Sequence, residues 1–508
     1  MCTKTNLVSL SLGAILVFSY APFSLWWLPF LVLPSFFVLV AKLTGNAVTK
    51  AFFSFGFGWF AAGISWVHVS IDSFGGLPLP ISILLMLLLC GYLALYPALA
   101  GFLATKLNRG KISYALLPAA WCLAEFCRAT FLTGFPWLSL GYSQIDGPLA
   151  SLAPIVGEIG ITFAMLTISL LIASIATQNN RAKGLMGLAS VILILISAAP
   201  FLAPKIEVDK TVKVALVQGN IEQALKFNPD HQWPTMIKYM DLTRLHYDAD
   251  IILWPESAVP SLESLTLTQE FLDMAQRSAM LNNAAIITGI INYDLRKDEY
   301  FNSVIVLGKE TADATDGEYY YNNRNRYYKN HLLPIGEFVP FQSILRPIAP
   351  LFNLPMSSFS RGAYQQKNIS AQGIKILPLI CFEVAFPYQL SANFTQQTQM
   401  LLTVSNDTWF GASHGPHQHL EIARMRALEF ARPMLRSTNN GVTAVVDHQG
   451  NISAVLPQFE EGVLRAEVTT TKGSTFYSQY ALLIHFLLPL LSVLAFSFFR
   501  LQKKEETN

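Results

Sequence analysis

Long apolar runs fill the first two-fifths of the chain and return once near its end. A helix needs about 20 apolar residues to cross the hydrocarbon core of a bilayer. Runs of about that length predict some eight transmembrane helices, at residues 6–24, 25–41, 51–71, 80–104, 113–131, 150–176, 185–203 and 480–499. The first two are short and are separated only around Pro22. The pattern therefore predicts a multi-pass α-helical transmembrane bundle.

Between these apolar parts, short strands alternate with amphipathic helices. Predicted strands are 212–218, 251–254, 285–291, 303–307, 319–321, 374–380, 401–404 and 442–447, and predicted helices are 231–247, 268–281, 387–393 and 419–431. This rhythm predicts a layered α/β domain with buried sheets. The chain would then contain a transmembrane helical domain of about seven spans (1–204), an α/β domain (205–478), and a last transmembrane helix with a short tail (479–508).

Composition supports a membrane protein, because 52% of the residues are hydrophobic and only 13% are charged. Mean hydropathy is +0.39. The formal net charge of +2 gives no reason to expect a nucleic-acid partner.

Lysine and arginine are unevenly distributed over the loops between the apolar runs. They precede the first run, occupy every second loop and end the chain: Lys4, Lys42, Lys50, Lys106, Arg109, Lys111, Arg181, Lys183, Arg500, Lys503 and Lys504. Because positive residues stay on the cytoplasmic side, both termini are predicted to be cytoplasmic and the α/β domain external. A cleaved signal peptide is a weaker explanation of the first run, which is longer than a signal core and leads directly into the second.

Cys381 is the one cysteine of the external domain; Cys2, Cys90, Cys122 and Cys127 lie in or beside the apolar part. An external cysteine would normally form a disulfide, and this one has no partner in its own domain. It is therefore either a buried core residue or a working thiol.

Three candidate catalytic residues each close a strand-like run: Glu256 ends 250–256, Lys329 follows Tyr327 and Tyr328, and Cys381 follows 374–380. A thiolate is a nucleophile, a lysine stabilises a thiolate or an oxyanion, and a glutamate can accept the thiol proton. Together they suit acyl transfer through a thioester. Each alone has a structural explanation, since Cys381 could fill a core, Glu256 could cap a helix, and Lys329 could be a solvated strand residue.

Around these residues the external segment resembles the nitrilase (carbon–nitrogen hydrolase) superfamily, which has Glu, Lys and Cys in this order. The whole chain resembles the apolipoprotein N-acyltransferase family, its membrane-embedded branch. The motifs that carry the resemblance are Thr-Gly-Phe-Pro-Trp at 133–137, Val-Gln-Gly-Asn at 217–220, Trp-Pro-Glu-Ser at 254–257, Leu-Pro-Ile-Gly-Glu-Phe-Val-Pro at 333–340, Ser-Asn-Asp-Thr-Trp-Phe-Gly at 405–411, Gly-Pro-His-Gln-His at 415–419 and Thr-Asn-Asn-Gly at 438–441. The implied external fold is a four-layer α-β-β-α sandwich.

The resemblance assigns roles to individual residues. Glu256 matches the general base, Lys329 the oxyanion-stabilising lysine, and Cys381 the nucleophile. Glu337 matches a second glutamate that braces the site. Further matches lie beside the nucleophile or in a loop near the pocket: Glu383, Phe382, Trp409 and Phe410. Two segments depart from the family, at Phe227, where tryptophan is expected, and at 412–414.

The implied reaction moves the sn-1 acyl chain of a phospholipid, typically phosphatidylethanolamine, onto the cysteine. The chain then passes to the α-amino group of the N-terminal S-diacylglyceryl-cysteine of an apolipoprotein, with ping-pong kinetics. The resemblance implies no cofactor or metal, a monomer, and a bacterial inner membrane location with a periplasmic catalytic domain. Residues 351–362 are the predicted lid, because the thioester must be kept from water.

Other features have weaker functional interpretations. His414, His417 and His419 with Glu421 resemble a metal site, but a thioester mechanism needs no metal. Glu125, Arg128 and Glu158 are ionisable groups in or beside predicted spans, where such residues are often functional. Glu125 and Arg128, one helical turn apart, could instead pair with each other at the interface.

Two other functions remain possible. A membrane-anchored amidase would share the three catalytic residues, but a mere anchor would not need eight spans. A transporter with an inactive external domain would require broken helices in paired halves, which the sequence does not contain.

Overall fold

The computed structural model describes residues 2–177, 206–334, 336–338 and 358–505. The chain divides into two compact units, one comprising Met1–Ser73, Leu77–Ala203 and Gln479–Asn508, and the other Phe74–Gly76 and Pro204–Ser478.

The first unit is helical. Its longer described helices are α1 (Cys2–Leu16), α2 (Pro29–Val40), α3 (Asn46–Gly63), α4 (Leu79–Lys106), α5 (Leu117–Thr130), α6 (Ala153–Ala176) and α12 (Phe476–Glu505). By length and composition, three described helical segments could cross a membrane: Leu79–Lys106, Pro148–Ala176 and Phe476–Leu494. The pair Asn46–Gly63 and Val67–Phe74, bent by 58°, could form a fourth.

The described residues contain three or four segments that could span a membrane, so they do not confirm all eight predicted spans. The predicted span at 185–203 lies outside the described residues. The first two predicted spans correspond to the shorter apolar helices Lys4–Ser19 and Pro29–Val40. The fifth corresponds to α5, which has 14 residues. At about 1.5 Å rise per residue, helices this short fall below the thickness of the hydrocarbon core.

The predicted pairing of Glu125 with Arg128 is confirmed. The buried Arg128 guanidinium forms an ion pair with the Glu125 carboxylate. It also donates to the carbonyl oxygens of Phe135, at 2.6 Å, and Trp137, at 2.7 Å. Arg128 thereby holds the 135–137 segment against α5, a structural use of a charge that lipid alone could not solvate.

Glu158 accepts a hydrogen bond from the Ser139 hydroxyl at 2.5 Å. Its main chain lies against Gly141, where a Cβ would come within 2.1 Å of the Glu158 carbonyl oxygen. Gly141 is thus required for this close backbone approach.

The second unit contains two mixed β-sheets. The first sheet has the order β13-β1-β2-β4-β5-β6, with β3 beside β4, and the second the order β12-β11-β10-β9-β8-β7. The strands of the first sheet are β1 (Glu207–Gln218), β2 (Ile251–Leu253), β3 (Val259–Leu262), β4 (Ala285–Asp294), β5 (Glu299–Gly308), β6 (Arg326–Tyr328) and β13 (Gly462–Lys472). Those of the second are β7 (Ile369–Ala371), β8 (Ile374–Ile380), β9 (Met400–Ser405), β10 (Met434–Thr438), β11 (Thr443–Val446) and β12 (Ile452–Leu456).

The sheets pack face to face across an apolar core that includes Leu216 and Ile287 from the first sheet and Ile376 and Leu402 from the second. Five helices are described in this unit: α7 (Gln223–Lys226), α8 (Pro229–Arg244), α9 (Thr266–Leu281), α10 (Pro387–Asn393) and α11 (Gly415–Phe430). Helices α8 and α9 cover the outer face of the first sheet over a second core, and α10 and α11 contact the second sheet. The implied four-layer α-β-β-α sandwich is confirmed.

The strand predicted at 319–321 is wrong. In the structure these residues form no strand, and β6 begins at Arg326. The backbone N–H of Tyr319 donates to the Gln276 side chain at 2.9 Å, and its hydroxyl donates to Glu263 at 2.8 Å. Side-chain partners therefore replace the hydrogen bonds of a β-ladder in this aromatic segment.

Strand direction explains how the candidate residues come together. Strands β8, β9 and β10 run parallel, so their carboxyl ends share one edge of the second sheet. In the first sheet, β1, β2 and β4 are parallel. Glu256 follows β2, Lys329 follows β6, and Cys381 follows β8. The three residues thus come from strand ends of the two facing sheets.

Candidate active site

Lys329 lies between two glutamates. Its Nζ is 2.8 Å from Glu337 Oε2 and 3.5 Å from Glu256 Oε1. All three side chains are buried. Burial alone would lower the pKa of Lys329, but the negative charges of Glu337 and Glu256 outweigh it and raise the pKa above its usual value. The ammonium therefore stays protonated at neutral pH.

Asn302 and Asn406 orient the two carboxylates. The Asn302 amide donates to Glu256 Oε1 at 2.7 Å and to Glu337 Oε1 at 2.9 Å. The backbone N–H of Asn406 donates to Glu256 Oε2 at 3.0 Å. Both oxygens of Glu256 are thus fixed, and its carboxylate faces Lys329.

Cys381 starts a tight turn, Cys381–Ala385, directly after β8. Its φ is +52°, a left-handed conformation that costs a non-glycine residue about 1–3 kcal/mol. Burial, together with the charges of Glu256 and Asp407, raises the pKa of its thiol to about 12, against the opposing effect of Lys329. The resting sulfur is therefore protonated, and a base must remove the proton as the sulfur attacks.

Glu383 anchors this turn. Its fully buried carboxylate accepts hydrogen bonds from five donors, which are the backbone N–H groups of Ile380 (2.8 Å), Asn330 (2.8 Å) and His331 (3.1 Å) and the side chains of Tyr327 (3.0 Å) and Gln389 (3.0 Å). Burial raises its pKa, although the backbone donors and Lys329 oppose the shift. Glu383 thereby connects the turn of Cys381 to the chain that follows Lys329.

A second buried network contacts the backbone of Cys381. The Nε2 of His419 lies 3.1 Å from the Cys381 carbonyl oxygen, so this nitrogen must be the donor. The other ring nitrogen lies 3.0 Å from Asp407 Oδ1. Asp407 also pairs with Arg436 at 2.5 Å. Burial favours the neutral form of Asp407, but the Arg436 charge outweighs burial and lowers the pKa of Asp407 below its usual range.

Sequence reasoning missed the roles of Asn302, Asn406 and Asp407, and considered His419 only as a metal ligand. Within the described part of the chain, no group of three or more His, Cys, Asp or Glu residues could hold a metal. The only available signal was the Ser-Asn-Asp run at 405–407 and the histidine at 419, which belonged to motifs without an assigned function.

The predicted aromatic residues occupy different surroundings. Phe382 is buried against Phe386, with ring centroids 5.0 Å apart. Phe410 packs edge-on against His419 at 5.8 Å, and Trp409 against Phe74 of the same compact unit at 5.1 Å. Phe227 follows α7, with its ring 5.9 Å from the Lys226 ammonium.

Residues 351–357 of the predicted lid lie outside the described residues. The end of the predicted lid is bound to the site. The backbone N–H of Phe359 donates to the Glu337 carbonyl at 3.0 Å, and that of Gly362 to the Lys329 carbonyl at 2.9 Å. The main chain at the end of the predicted lid therefore contacts two residues of the charged cluster.

Comparison with known proteins agrees with this architecture. The sequence model of the apolipoprotein N-acyltransferase N-terminal domain matches residues 12–171, and that of carbon–nitrogen hydrolases matches residues 213–475. An apolipoprotein N-acyltransferase of Shewanella oneidensis is 51% identical over 482 residues, covering 92% of this chain and 90% of the relative. One of Vibrio cholerae is 48% identical over 474 residues, covering 92% and 91%. One of Haemophilus influenzae is 39% identical over 508 residues, covering 97% and 95%.

Proposed function

The chain belongs to the apolipoprotein N-acyltransferase family, and from that premise we propose that Cys381 takes a fatty acyl chain from a phospholipid and passes it to the N-terminal amine of a lipoprotein. The observation that carries this proposal is the convergence of three strand ends. They bring a buried carboxylate, a buried ammonium and the thiol of a half-buried cysteine into mutual electrostatic contact.

In the first half-reaction Glu256 accepts the thiol proton while the sulfur of Cys381 attacks the sn-1 ester carbonyl. The negative charge that forms on the carbonyl oxygen is stabilised by the Lys329 ammonium. The C–O bond then breaks, the proton on Glu256 passes to the leaving alkoxide, and a lysophospholipid departs. An acyl thioester remains on Cys381.

In the second half-reaction the α-amine of the diacylglyceryl-cysteine attacks this thioester. An α-amino group has a pKa of about 8, so a sizeable neutral fraction exists at neutral pH. Glu256 takes the proton that the amine loses and returns it to the departing sulfur. The products are an amide and the free thiol.

The membrane unit supplies the context for such substrates. A phospholipid donor, which we propose to be phosphatidylethanolamine, and a diacylglyceryl acceptor both keep acyl chains in the bilayer. We propose a monomeric enzyme of about eight spans in the bacterial inner membrane, with domains at 1–204, 205–478 and 479–508. Both termini would be cytoplasmic and the catalytic domain periplasmic.

Glu337 and Glu383 act in this proposal as positioning residues, through Lys329 and the Cys381 turn respectively. Phe227, Phe382, Trp409 and Phe410 are proposed to contact substrate. Phe410 has the strongest support, because it packs against His419, whose Nε2 binds the carbonyl of the nucleophile.

The test is intact-mass spectrometry of the purified full-length chain after incubation with phosphatidylethanolamine, beside Cys381→Ala. We expect a mass gain of one fatty acyl chain that hydroxylamine removes and that the variant lacks. If the wild type forms no adduct and instead releases ammonia from small amides, the site is a tethered amidase and the acyltransferase proposal fails.

A further inference from the structure

Lys226 places a second ammonium beside the catalytic residues. It is the last residue of α7 and is only 3% exposed. Its Nζ donates to the backbone carbonyl of Glu256 at 2.9 Å. Its ammonium lies within electrostatic range of the Glu256 carboxylate and of the Cys381 sulfur. The acyl transfer by Glu256, Lys329 and Cys381 assigns this amine no role.

Lys226 has spare hydrogen-bonding capacity. An ammonium has three N–H donors. Among the residues that the structure describes, the Glu256 carbonyl is the acceptor that Lys226 reaches, and none of the ion pairs there includes it. Lys329, in contrast, contacts two carboxylates. Burial of so weakly paired an ammonium lowers its pKa to about 8, although the Glu256 carboxylate opposes the shift.

The charges around the thiol show why a second cation is useful. The carboxylates of Glu256 and Glu337 outnumber the single ammonium of Lys329, and Asp407, although paired with Arg436, also raises the thiol pKa. Such an environment opposes both a thiolate and an oxyanion. A buried cation that is not already neutralised would offset this opposition at the reacting atoms.

We propose that Lys226 is a further catalytic residue, whose ammonium stabilises negative charge on the Cys381 sulfur and on the oxygen of the tetrahedral intermediates. As the S–H bond breaks and its proton moves to Glu256, the sulfur electron pair forms the C–S bond. The carbonyl π pair moves onto oxygen, where Lys226 and Lys329 share its charge. The part that concerns the oxyanion rests on the proposed acyl transfer, whereas the part that concerns the sulfur does not.

The test measures alkylation of Cys381 by iodoacetamide at pH 7 in the full-length protein, followed by mass spectrometry of the peptide that contains residue 381. Lys226→Met removes both the charge and the hydrogen bond, whereas Lys226→Gln removes the charge and keeps an N–H donor for the Glu256 carbonyl. Both variants are expected to react about tenfold more slowly, which corresponds to a rise of about one unit in the thiol pKa.

Different results would overturn the proposal. If Lys226→Gln reacts at the wild-type rate, Lys226 is a tether for the Glu256 backbone. If both variants react at that rate but need more phosphatidylethanolamine for half-maximal acylation, the ammonium binds the lipid phosphate instead. Either result removes Lys226 from the reacting atoms.

Two controls complete the experiment. Lys238→Met, which removes a partly exposed lysine paired with Glu461, should leave alkylation unchanged. Lys226→Arg keeps the charge and should stay close to the wild-type rate, so a slow but folded Arg variant would contradict the proposal. Because alkylation needs no lipid, it still tests the role of Lys226 if wild-type protein forms no acyl adduct.

Discussion

At the scale of single residues, the site shifts the pKa values of its groups away from neutral pH, so that each group keeps one protonation state at rest. The Cys381 thiol holds its proton because burial and neighbouring carboxylates raise its pKa to about 12. His419 is fully buried, and burial together with the Arg436 charge lowers its pKa below its usual value, although Asp407 opposes the shift. The neutral ring can then donate from Nε2 to the Cys381 carbonyl and accept at Nδ1 from the Arg436 guanidinium, 3.1 Å away.

His419 therefore makes stability depend on pH. Below about pH 6.5 the unfolded chain binds a proton on this histidine that the folded protein excludes, so stability is lost as pH falls. His417 and His246, whose pKa values are also lowered by burial, act in the same direction. We expect the thermal unfolding midpoint in detergent to decrease when the pH is lowered from about 7.5 to about 5.5. The decrease should be smaller in His419→Gln. An equal slope in the variant would show that His419 is not responsible.

At the scale of elements, the active site is a set of strand ends that hydrogen bonds fix in place. The carboxylate of Glu383 is the clearest case, because it accepts from the end of β8 and from the chain that follows β6. One side chain thus sets the distance between the turn of the nucleophile and the segment of Lys329.

Glu383→Gln should disturb both segments. In the wild type both oxygens of Glu383 accept hydrogen bonds. The glutamine amide replaces one of these oxygens by an NH2 group, which cannot accept. Each donor left without an acceptor lowers the free energy of unfolding by about 1–3 kcal/mol. We expect a lower unfolding midpoint and slower formation of the acyl adduct on Cys381. The exposed Glu270 on α9 offers a matched control, since Glu270→Gln should change neither quantity. Acylation of the Glu383→Gln variant at the wild-type rate would rule out this anchoring role.

The elements were predictable to different degrees. The strand 374–380 and the helix 387–393 have the predicted bounds, because apolar runs and a proline at the first helical position mark them locally. The absence of a strand at 319–321 was not predictable from local pattern. Tyr319 forms its hydrogen bonds with the side chains of Gln276 and Glu263, which lie far away in the sequence, instead of with a neighbouring strand. Local pattern could place Glu256, Lys329 and Cys381 at strand ends. It could not find Asn302 and Asn406, whose partner Glu256 lies 46 and 150 positions away in the sequence.

At the scale of the whole molecule, the apolar part of the sequence forms bent and short helices as well as helices long enough to span a membrane. The helix pair around residues 64–66 is bent by 58°, and several apolar helices are too short to cross a bilayer alone. Hydropathy sums over a window and does not register such breaks, so the predicted count of eight exceeds what the described helices support. The uneven distribution of lysine and arginine gives independent information on orientation.

The orientation can be tested by labelling single cysteines in intact cells with a membrane-impermeant maleimide, after the native cysteines have been replaced. Lys111→Cys, in a predicted cytoplasmic loop, should react only after the inner membrane is opened. Asn451→Cys, on the exposed turn between β11 and β12, should react once the outer membrane is permeable. Early labelling at residue 111 would invert the proposed topology.

The register of β1 with β13 has a consequence for biosynthesis. Glu207 pairs with Lys472, so the first strand of the catalytic unit finds its partner in the last strand to be made. While the ribosome produces the residues between them, one edge of β1 has no neighbour and could pair with another nascent chain. The strand carries Asp209, Lys210 and Lys213 along this stretch, and charged side chains on an open edge discourage such pairing. The polar half of β1 thus protects the chain during the interval before its sheet can close.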